Sequence, residues 1–303
     1  MNKKFSTKKK KIKLRLFFTF LMLLLGIYAS YKNIEKKRIV LTDKELTNLI
    51  VDNSFTSNDS KFIGNIIDKI ADVTNPIKVL NSKYQTTSTF KEEKKVESPP
   101  IIYLYNSHQQ EEYASSTLAE YSITPTVIMN NYILEDIFNK NNYKTIVEEN
   151  SIKDILNKNN WKYYKSYNAT RILLEENIIK YPTLKYFIDI HRDSLPKNRT
   201  TVKIDNKDYA KVLFLIGLEN KNYEENLMFT EKINNKLNEY YKGLSKGILK
   251  KGGEGVNGVY NQDFNNRTIL IEIGGYENTP TEVLNSAIAF SRCFMEVISE
   301  ETN

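Results

Sequence analysis

From residue 101 onward, short apolar runs alternate with longer segments of helical periodicity. Runs rich in β-branched and aromatic residues predict buried strands, at residues 101–105, 144–147, 184–190, 211–217 and 268–273. Apolar side chains spaced three or four apart predict helices, at residues 126–140, 167–180, 223–244 and 281–298. We also consider residues 201–204 as a hairpin partner of the 211–217 strand. This alternation predicts an α/β domain with a mostly parallel or mixed central sheet, covered by helices on both faces.

The positive charge of the chain is concentrated at its amino terminus. Residues 1–15 contain eight Lys and Arg and no acid, whereas the whole chain has a net charge of +7. The remaining residues therefore carry one more acidic than basic side chain. A nearly neutral body lacks the basic surface of nucleic-acid-binding proteins, so a nucleic-acid partner is not expected.

An apolar run at residues 16–31 follows this basic block. It is long for the core of a signal peptide and short for a spanning helix, although the flanking Lys13, Arg15 and Lys32 can snorkel and lengthen it. No small-x-small cleavage site follows, which favours an uncleaved single-pass membrane anchor over a cleaved signal peptide. Eight cations precede the run and four lie in residues 32–38. This bias predicts a cytoplasmic amino terminus and an extracytoplasmic body.

The segment between the anchor and the first strand predicts a stalk. Helical spacing occurs at residues 43–50 and 62–73, and the polar residues 81–98 are typical of a linker. The expected organisation therefore has four parts. These are a basic cytoplasmic segment (1–15), a transmembrane anchor (16–31), an extracytoplasmic stalk and linker (32–99) and a catalytic domain (100–303).

The two histidines of the chain both come after predicted strands. His108 follows the 101–105 run and His191 follows the 184–190 run. In open α/β sheets, ligands bind beyond the carboxyl ends of the strands. Glu111 and Glu112 follow the first histidine, and Asp193 follows the second. Imidazole plus carboxylate is the ligand set of a catalytic zinc ion, and two histidines at two strand ends favour this reading over ordinary strand-end residues.

Glu272 interrupts the strongly apolar strand predicted at residues 268–273. A carboxylate in a buried strand is costly unless it is paired or bound to a cation, so we favour a functional role over a solvated sheet edge.

The single cysteine, Cys293, lies in a helical apolar pattern. It is therefore expected to be a buried, inert thiol rather than a nucleophile.

Four segments, in their order and spacing, resemble the signatures of the stage II sporulation protein P family. They are SHQQEEY (107–113), DIHRDS (189–194), YNQD (260–263) and LIEIGGYENT (270–279). The resemblance covers about residues 100–299. The family consists of membrane-anchored cell-wall hydrolases needed for forespore engulfment, and it is similar to zinc-dependent N-acetylmuramoyl-L-alanine amidases. The chain departs from the family pattern around His108, where relatives commonly have a second histidine, and at residues 147–149, where relatives tend to carry His-Asp.

The resemblance implies a zinc site and its surroundings. His108, Glu111 and His191 take the ligand positions, with Glu112 as the alternative to Glu111, and Glu272 takes the position of the catalytic glutamate. Zinc lowers the pKa of its bound water to about 7, and a nearby glutamate can pass the water proton to the leaving amine. The residues that would line or brace the site are Arg192, Asp193 and Asn278.

The resemblance also implies the substrate and the partners. The substrate is peptidoglycan, cleaved between N-acetylmuramic acid and the L-alanine of the stem peptide, with cleavage of peptide cross-links also reported for the family. The partners are stage II sporulation proteins D, a glycan-strand lyase, and M. Two alternatives stay open: a non-enzymatic wall-binding scaffold that recruits the lyase, and a zinc peptidase acting on proteins.

Overall fold

The computed structural model describes residues 98–113 and 125–301. Its main sheet has six strands: β1 (Ile102–Tyr105), β2 (Thr145–Val147), β3 (Tyr186–Asp193), β6 (Val212–Gly217), β7 (Ser245–Lys251) and β8 (Thr268–Gly275). A second, two-stranded sheet contains β4 (Thr201–Ile204) and β5 (Lys207–Ala210). The helices are α1 (Ile128–Lys140), α2 (Ile152–Lys158), α3 (Ser166–Lys180), α4 (Lys197–Thr200), α5 (Tyr223–Tyr240) and α6 (Pro280–Glu300), with a 3-10 turn at Tyr163–Lys165.

The predicted basic segment, the anchor and almost all of the stalk and linker lie outside the described residues. Among the described helices, none is long and apolar enough to cross a membrane.

The six strands lie in the order β2-β1-β3-β8-β6-β7. The first four of these are mutually parallel, whereas β6 runs antiparallel to β8 and parallel to β7. The prediction of a mixed α/β domain with a central sheet is therefore confirmed. Parallel strands buried on both faces contain nearly continuous apolar residues, which is why the sequence shows these strands as apolar runs.

Helices pack on both faces of this sheet. On one face, α1, α5 and α6 bury the main core against residues such as Leu104, Ile188 and Ile271. On the other face, Leu174 of α3 packs against Tyr103 and Phe187. Strand side chains alternate between faces, so the Asp189, His191 and Glu272 positions lie on the face opposite the main core.

Cys293 lies in α6 and is fully buried, as predicted. Burial raises the pKa of its thiol to about 12, which makes the thiolate inaccessible at neutral pH.

Two local predictions were wrong, and one strand of the main sheet was missed. Thr201–Ile204 pairs with Lys207–Ala210 and not with the 211–217 strand. His191 lies inside β3, which extends to Asp193, rather than beyond the strand end. The strand β7 was not predicted, because its sequence SKGILKK is rich in lysine and lacks an apolar run. Such a composition is common for edge strands, where lysine discourages pairing with another chain.

Candidate active site

Three side chains converge at the carboxyl end of β1 and in β3. His108 and Glu111 lie in the turns after β1, where the Glu111 amide donates a hydrogen bond to the His108 carbonyl at 3.1 Å. The Glu111 carboxylate lies 3.5 Å from Nδ1 of His108 and 3.3 Å from Nδ1 of His191. One nitrogen or oxygen of each residue lies within 4.8 Å of the others. The sequence placed these residues in one site, and the structure brings them together.

This donor set fits a divalent metal ion. Ligands about 2.0–2.2 Å from a tetrahedral zinc ion lie about 3.3–3.6 Å from one another, and the two carboxylate–imidazole distances are of this size. Two imidazole nitrogens and one carboxylate leave a coordination position free, which is the pattern of catalytic zinc rather than of structural zinc.

Asp189, which the sequence analysis did not single out, orients His191. It is fully buried, and its carboxylate lies 3.0 Å from Nε2 of His191. Ser107 holds that carboxylate by donating from its amide at 2.8 Å and from its hydroxyl at 2.7 Å. A carboxylate on one imidazole nitrogen directs the other nitrogen toward a metal. The available signal was strand alternation, since residues two apart share a face.

The same contacts set the charges of the site. Burial disfavours the imidazolium, but Asp189 and Glu111 outweigh it and raise the pKa of His191 well above its ordinary value. Burial also disfavours ionised Glu111, but hydrogen bonds with His108 and His191 hold the pKa of its carboxyl well below the usual range. The two carboxylates therefore favour a positive charge beside His191, whether this is a proton or a metal ion.

Glu112 is not part of this cluster. Glu112 is exposed. Its backbone pairs with Thr126 in an isolated bridge, and its backbone carbonyl accepts a hydrogen bond from Nε of Arg192 at 2.8 Å. Of the two adjacent glutamates, Glu111 is therefore the one whose carboxylate meets the histidines.

Glu272 lies on β8 directly opposite His191 of β3. Both residues line one cavity of about 680 Å³. Burial and the nearby Asp193 raise the pKa of Glu272, whereas His191 and Lys251 oppose the shift. A raised pKa is what a glutamate needs to accept a proton and return it near neutral pH.

The predicted bracing residues occupy three different places. The Arg192 amide donates to Glu111 at 2.9 Å, and its guanidinium donates to the Glu112 and Asp193 carbonyls. Asp193 lines the cavity and forms an ion pair with Lys246 of β7. Asn278 does not line the cavity; it is buried and holds the turn after β8, accepting from the Gly275 amide at 2.7 Å.

Sequence reasoning also missed aromatic contacts. The ring of Tyr163 stacks on the His108 imidazole with 5.1 Å between ring centroids, and Tyr167 contacts the same imidazole edge-on with 5.3 Å between centroids.

The YNQD segment (260–263) has a structural role, since Gln262 accepts a hydrogen bond from the Gly217 amide and donates one to the Leu215 carbonyl. These bonds fasten the segment after β7 onto β6.

Residues 40–295 match the family model of stage II sporulation protein P. The stage II sporulation protein P of Bacillus subtilis (strain 168) is 44% identical over 114 residues, which are 38% of this chain and 28% of that protein. The matched part therefore spans little more than a quarter of this curated relative.

Two solved structures are similar at low identity. The CwlD amidase from Clostridioides difficile, in complex with the GerS lipoprotein, has 14% identity and a TM-score of 0.44, covering 66% of this chain and 99% of that one. Cwp6 from Clostridium difficile has 11% identity and a TM-score of 0.42, covering 66% of this chain and 30% of that one.

Proposed function

The chain belongs to the stage II sporulation protein P family, and from this premise we propose that it is a zinc-dependent peptidoglycan hydrolase of sporulation. Its substrate bond is the amide between N-acetylmuramic acid and the L-alanine of the stem peptide. The observation that carries the proposal is the position of Glu272, which faces the same cavity as the His108, Glu111 and His191 cluster.

The roles of the residues follow from their positions. His108, Glu111 and His191 would hold the zinc ion, and Asp189 fixes the orientation of His191. When bound, zinc supplies Lewis-acid polarisation and an acidic water. Glu272 removes a proton from the attacking water and delivers it to the alanine nitrogen as the C–N bond breaks. The products are a muramic acid carboxylate and a free amino end on the stem peptide.

The proposal includes the cellular setting. The amino-terminal charge bias and the apolar run support a single-pass anchor with the catalytic domain outside the cytoplasmic membrane. In this proposed orientation, the domain lies on the same side of the membrane as peptidoglycan. Family membership supports action during forespore engulfment, with stage II sporulation proteins D and M as partners. Cleavage of peptide cross-links is included as a second activity to be tested.

The test is mass spectrometry of muropeptides from purified sacculi, before and after treatment with the zinc-loaded full-length chain in detergent. Free stem peptides that begin with L-alanine are expected, and Glu272→Gln serves as the inactive control. Shortened cross-bridges with intact muramoyl–alanine bonds would reveal endopeptidase activity alone. Intact sacculi would favour the wall-binding scaffold, and intact sacculi with cleaved protein substrates would favour a zinc peptidase.

A further inference from the structure

The two histidines of the candidate metal site are held in different ways. Only 5% of the His191 side chain is exposed, and its Nε2 faces the buried carboxylate of Asp189. The His108 side chain is 25% exposed, and its carboxylate contact is with Glu111, which is itself a proposed ligand. Within the described part of the chain, no residue outside the proposed ligand set forms a hydrogen bond with the His108 imidazole. A residue that orients His108 from outside that set therefore has to act by packing.

Two tyrosine rings pack against the His108 imidazole. The Tyr163 ring lies nearly parallel to it, with 5.1 Å between centroids and 25° between planes. The Tyr167 ring meets it edge-on, with 5.3 Å between centroids and 64° between planes. Stacked and edge-on arrangements are the two favourable geometries of aromatic pairs. An imidazole that turned to another rotamer would lose both contacts.

Local helical geometry brings the two rings to the same side of the chain. Tyr163 begins the 3-10 turn, and Tyr167 is the second residue of α3, which follows it directly. Residues four apart in a helical segment are neighbours on its surface. The hydroxyl of Ser166 donates to the Tyr163 carbonyl at 2.6 Å and so holds the turn against the start of α3. The spacing of the two rings therefore follows from the sequence.

The YNQD segment supports Tyr167 from the other side. The Tyr260 ring contacts the Tyr167 ring edge-on, with 5.5 Å between centroids. The side-chain amide of Asn261 donates to the Tyr167 carbonyl at 2.9 Å. Tyr260 and Asn261 have φ angles of 54° and 56°, in the left-handed region that side chains such as tyrosine rarely adopt. Such a conformation persists only where the surrounding structure enforces it, and here it brings both residues against the first turn of α3.

We propose that Tyr163 and Tyr167 are positioning residues, which hold the His108 imidazole in its metal-binding orientation as Asp189 holds that of His191. This inference rests on the proposed function and deepens its metal site. Without the two rings, the imidazole of the metal-free protein populates other rotamers. Zinc binding must then restrict the imidazole again, and this loss of entropy lowers the zinc affinity.

The first test replaces Tyr163, whose side chain is 51% exposed, so that its removal leaves the core intact. The metal-free full-length chain, in detergent, is titrated with zinc against a competing chelator. Tyr163→Ala should bind zinc roughly 2- to 10-fold more weakly, the size of an aromatic pair. Tyr163→Phe keeps the ring and should keep the affinity. Tyr164→Ala is the matched control, because this adjacent tyrosine is 72% exposed and packs beside Lys165. It should leave the affinity unchanged.

The second test concerns Tyr167, which has two contacts to separate. Its hydroxyl forms a hydrogen bond with Ser107, and its ring contacts His108. Tyr167→Phe removes the hydrogen bond alone and is therefore the reference, whereas Tyr167→Leu removes the ring as well. Zinc should bind more weakly to Tyr167→Leu than to Tyr167→Phe. Equal affinities would exclude Tyr167 from the positioning role.

Unchanged zinc affinity in Tyr163→Ala would overturn the proposal. An equal loss in Tyr163→Phe would also overturn it, because the hydroxyl and not the ring would then be the contributing group. Urea unfolding of the metal-free variants identifies a purely structural role, in which stability falls and zinc affinity does not. These measurements need no turnover, so they separate the inference from the proposed function. A chain that binds zinc and leaves sacculi intact would refute the proposed function alone. Cleaved sacculi with unchanged zinc affinity in Tyr163→Ala would refute this inference alone.

Discussion

At the scale of single residues, the candidate site depends on one carboxylate contact at each imidazole nitrogen of His191. Its Nδ1 faces Glu111 and its Nε2 faces the buried Asp189. Because Ser107 holds Asp189 through both its amide and its hydroxyl, the imidazole has little freedom to rotate. The orientation of this proposed ligand is therefore fixed in part by Asp189 and Ser107, which are not in the proposed ligand set.

Zinc binding should depend strongly on the proposed ligands and less strongly on Asp189, which contacts only a ligand. His108→Ala and His191→Ala each remove a ligand and should abolish stoichiometric zinc binding together with activity. Asp189→Asn keeps all three ligands and should weaken zinc affinity by roughly 10- to 100-fold, the usual effect of losing an outer partner of a ligating histidine. Titration of the metal-free protein with zinc, with bound metal determined by mass spectrometry, measures both effects.

Glu112→Ala is the matched control for Glu111→Ala. It removes an adjacent carboxylate whose residue is exposed, so it should keep most of the zinc. A larger zinc loss in Glu112→Ala than in Glu111→Ala would exchange the two assignments. Full zinc occupancy in either histidine variant would refute the ligand set.

Glu272→Gln should lower turnover by roughly 10²- to 10⁴-fold while zinc and substrate remain bound, because the amide keeps the volume but cannot carry a proton. The raised pKa of Glu272 adds a pH dependence. The residue must be ionised to act as a base, so activity should fall on acidification at a pH above the ordinary range of glutamate. The pH profile of kcat/KM measures this limb. Near-normal release of stem peptides by the variant would make Glu272 structural.

At the scale of elements, the amino terminus of α6 secures the strand that carries Glu272. Thr279 and Glu282 form a capping box, in which each side chain bonds the backbone of the other. Glu282 also bonds Asn278 at 2.9 Å and Lys197 at 2.9 Å, and Asn278 holds the Gly275 amide at the end of β8. This network connects the helix cap to the turn that follows β8, the strand of the candidate site residue Glu272.

We expect Glu282→Gln to lower the free energy of unfolding by about 1 kcal/mol near pH 7. Burial raises the pKa of Glu282, but Lys197, Asn278 and the Thr279 amide outweigh this and lower it. A lowered folded-state pKa stabilises the protein above the unfolded-state pKa, and this contribution disappears as the pH falls through the folded-state value. Urea unfolding at several pH values should therefore show the two proteins converging in acid. Glu231→Gln, at an exposed position of α5, is the control, and a pH-independent difference would contradict this explanation.

At the scale of the whole molecule, the proposed membrane orientation follows from the distribution of charge around the apolar run. Eight cations before the apolar run and four after it predict that the body is outside the cytoplasm. Protease added to intact protoplasts should then remove the body and leave a short membrane stub, detected with an amino-terminal tag. Complete protection of the chain, with cleavage only after lysis, would reverse the predicted orientation.

Local sequence patterns predicted most strands, the main helices and the three segments that carry His108, His191 and Glu272. These features are local, because apolar periodicity and an isolated polar residue within an apolar run can be recognised in a short window. Three features came from the folded structure: the choice of Glu111 over Glu112, the contact of Asp189 with His191, and the contribution of β7 with Lys251 to the cavity. The contact of Glu111 with His191 depends on the pairing of β1 with β3, and the position of β7 depends on the strand order β3-β8-β6-β7. That order is set by packing between residues far apart in the chain, and no short segment contains it.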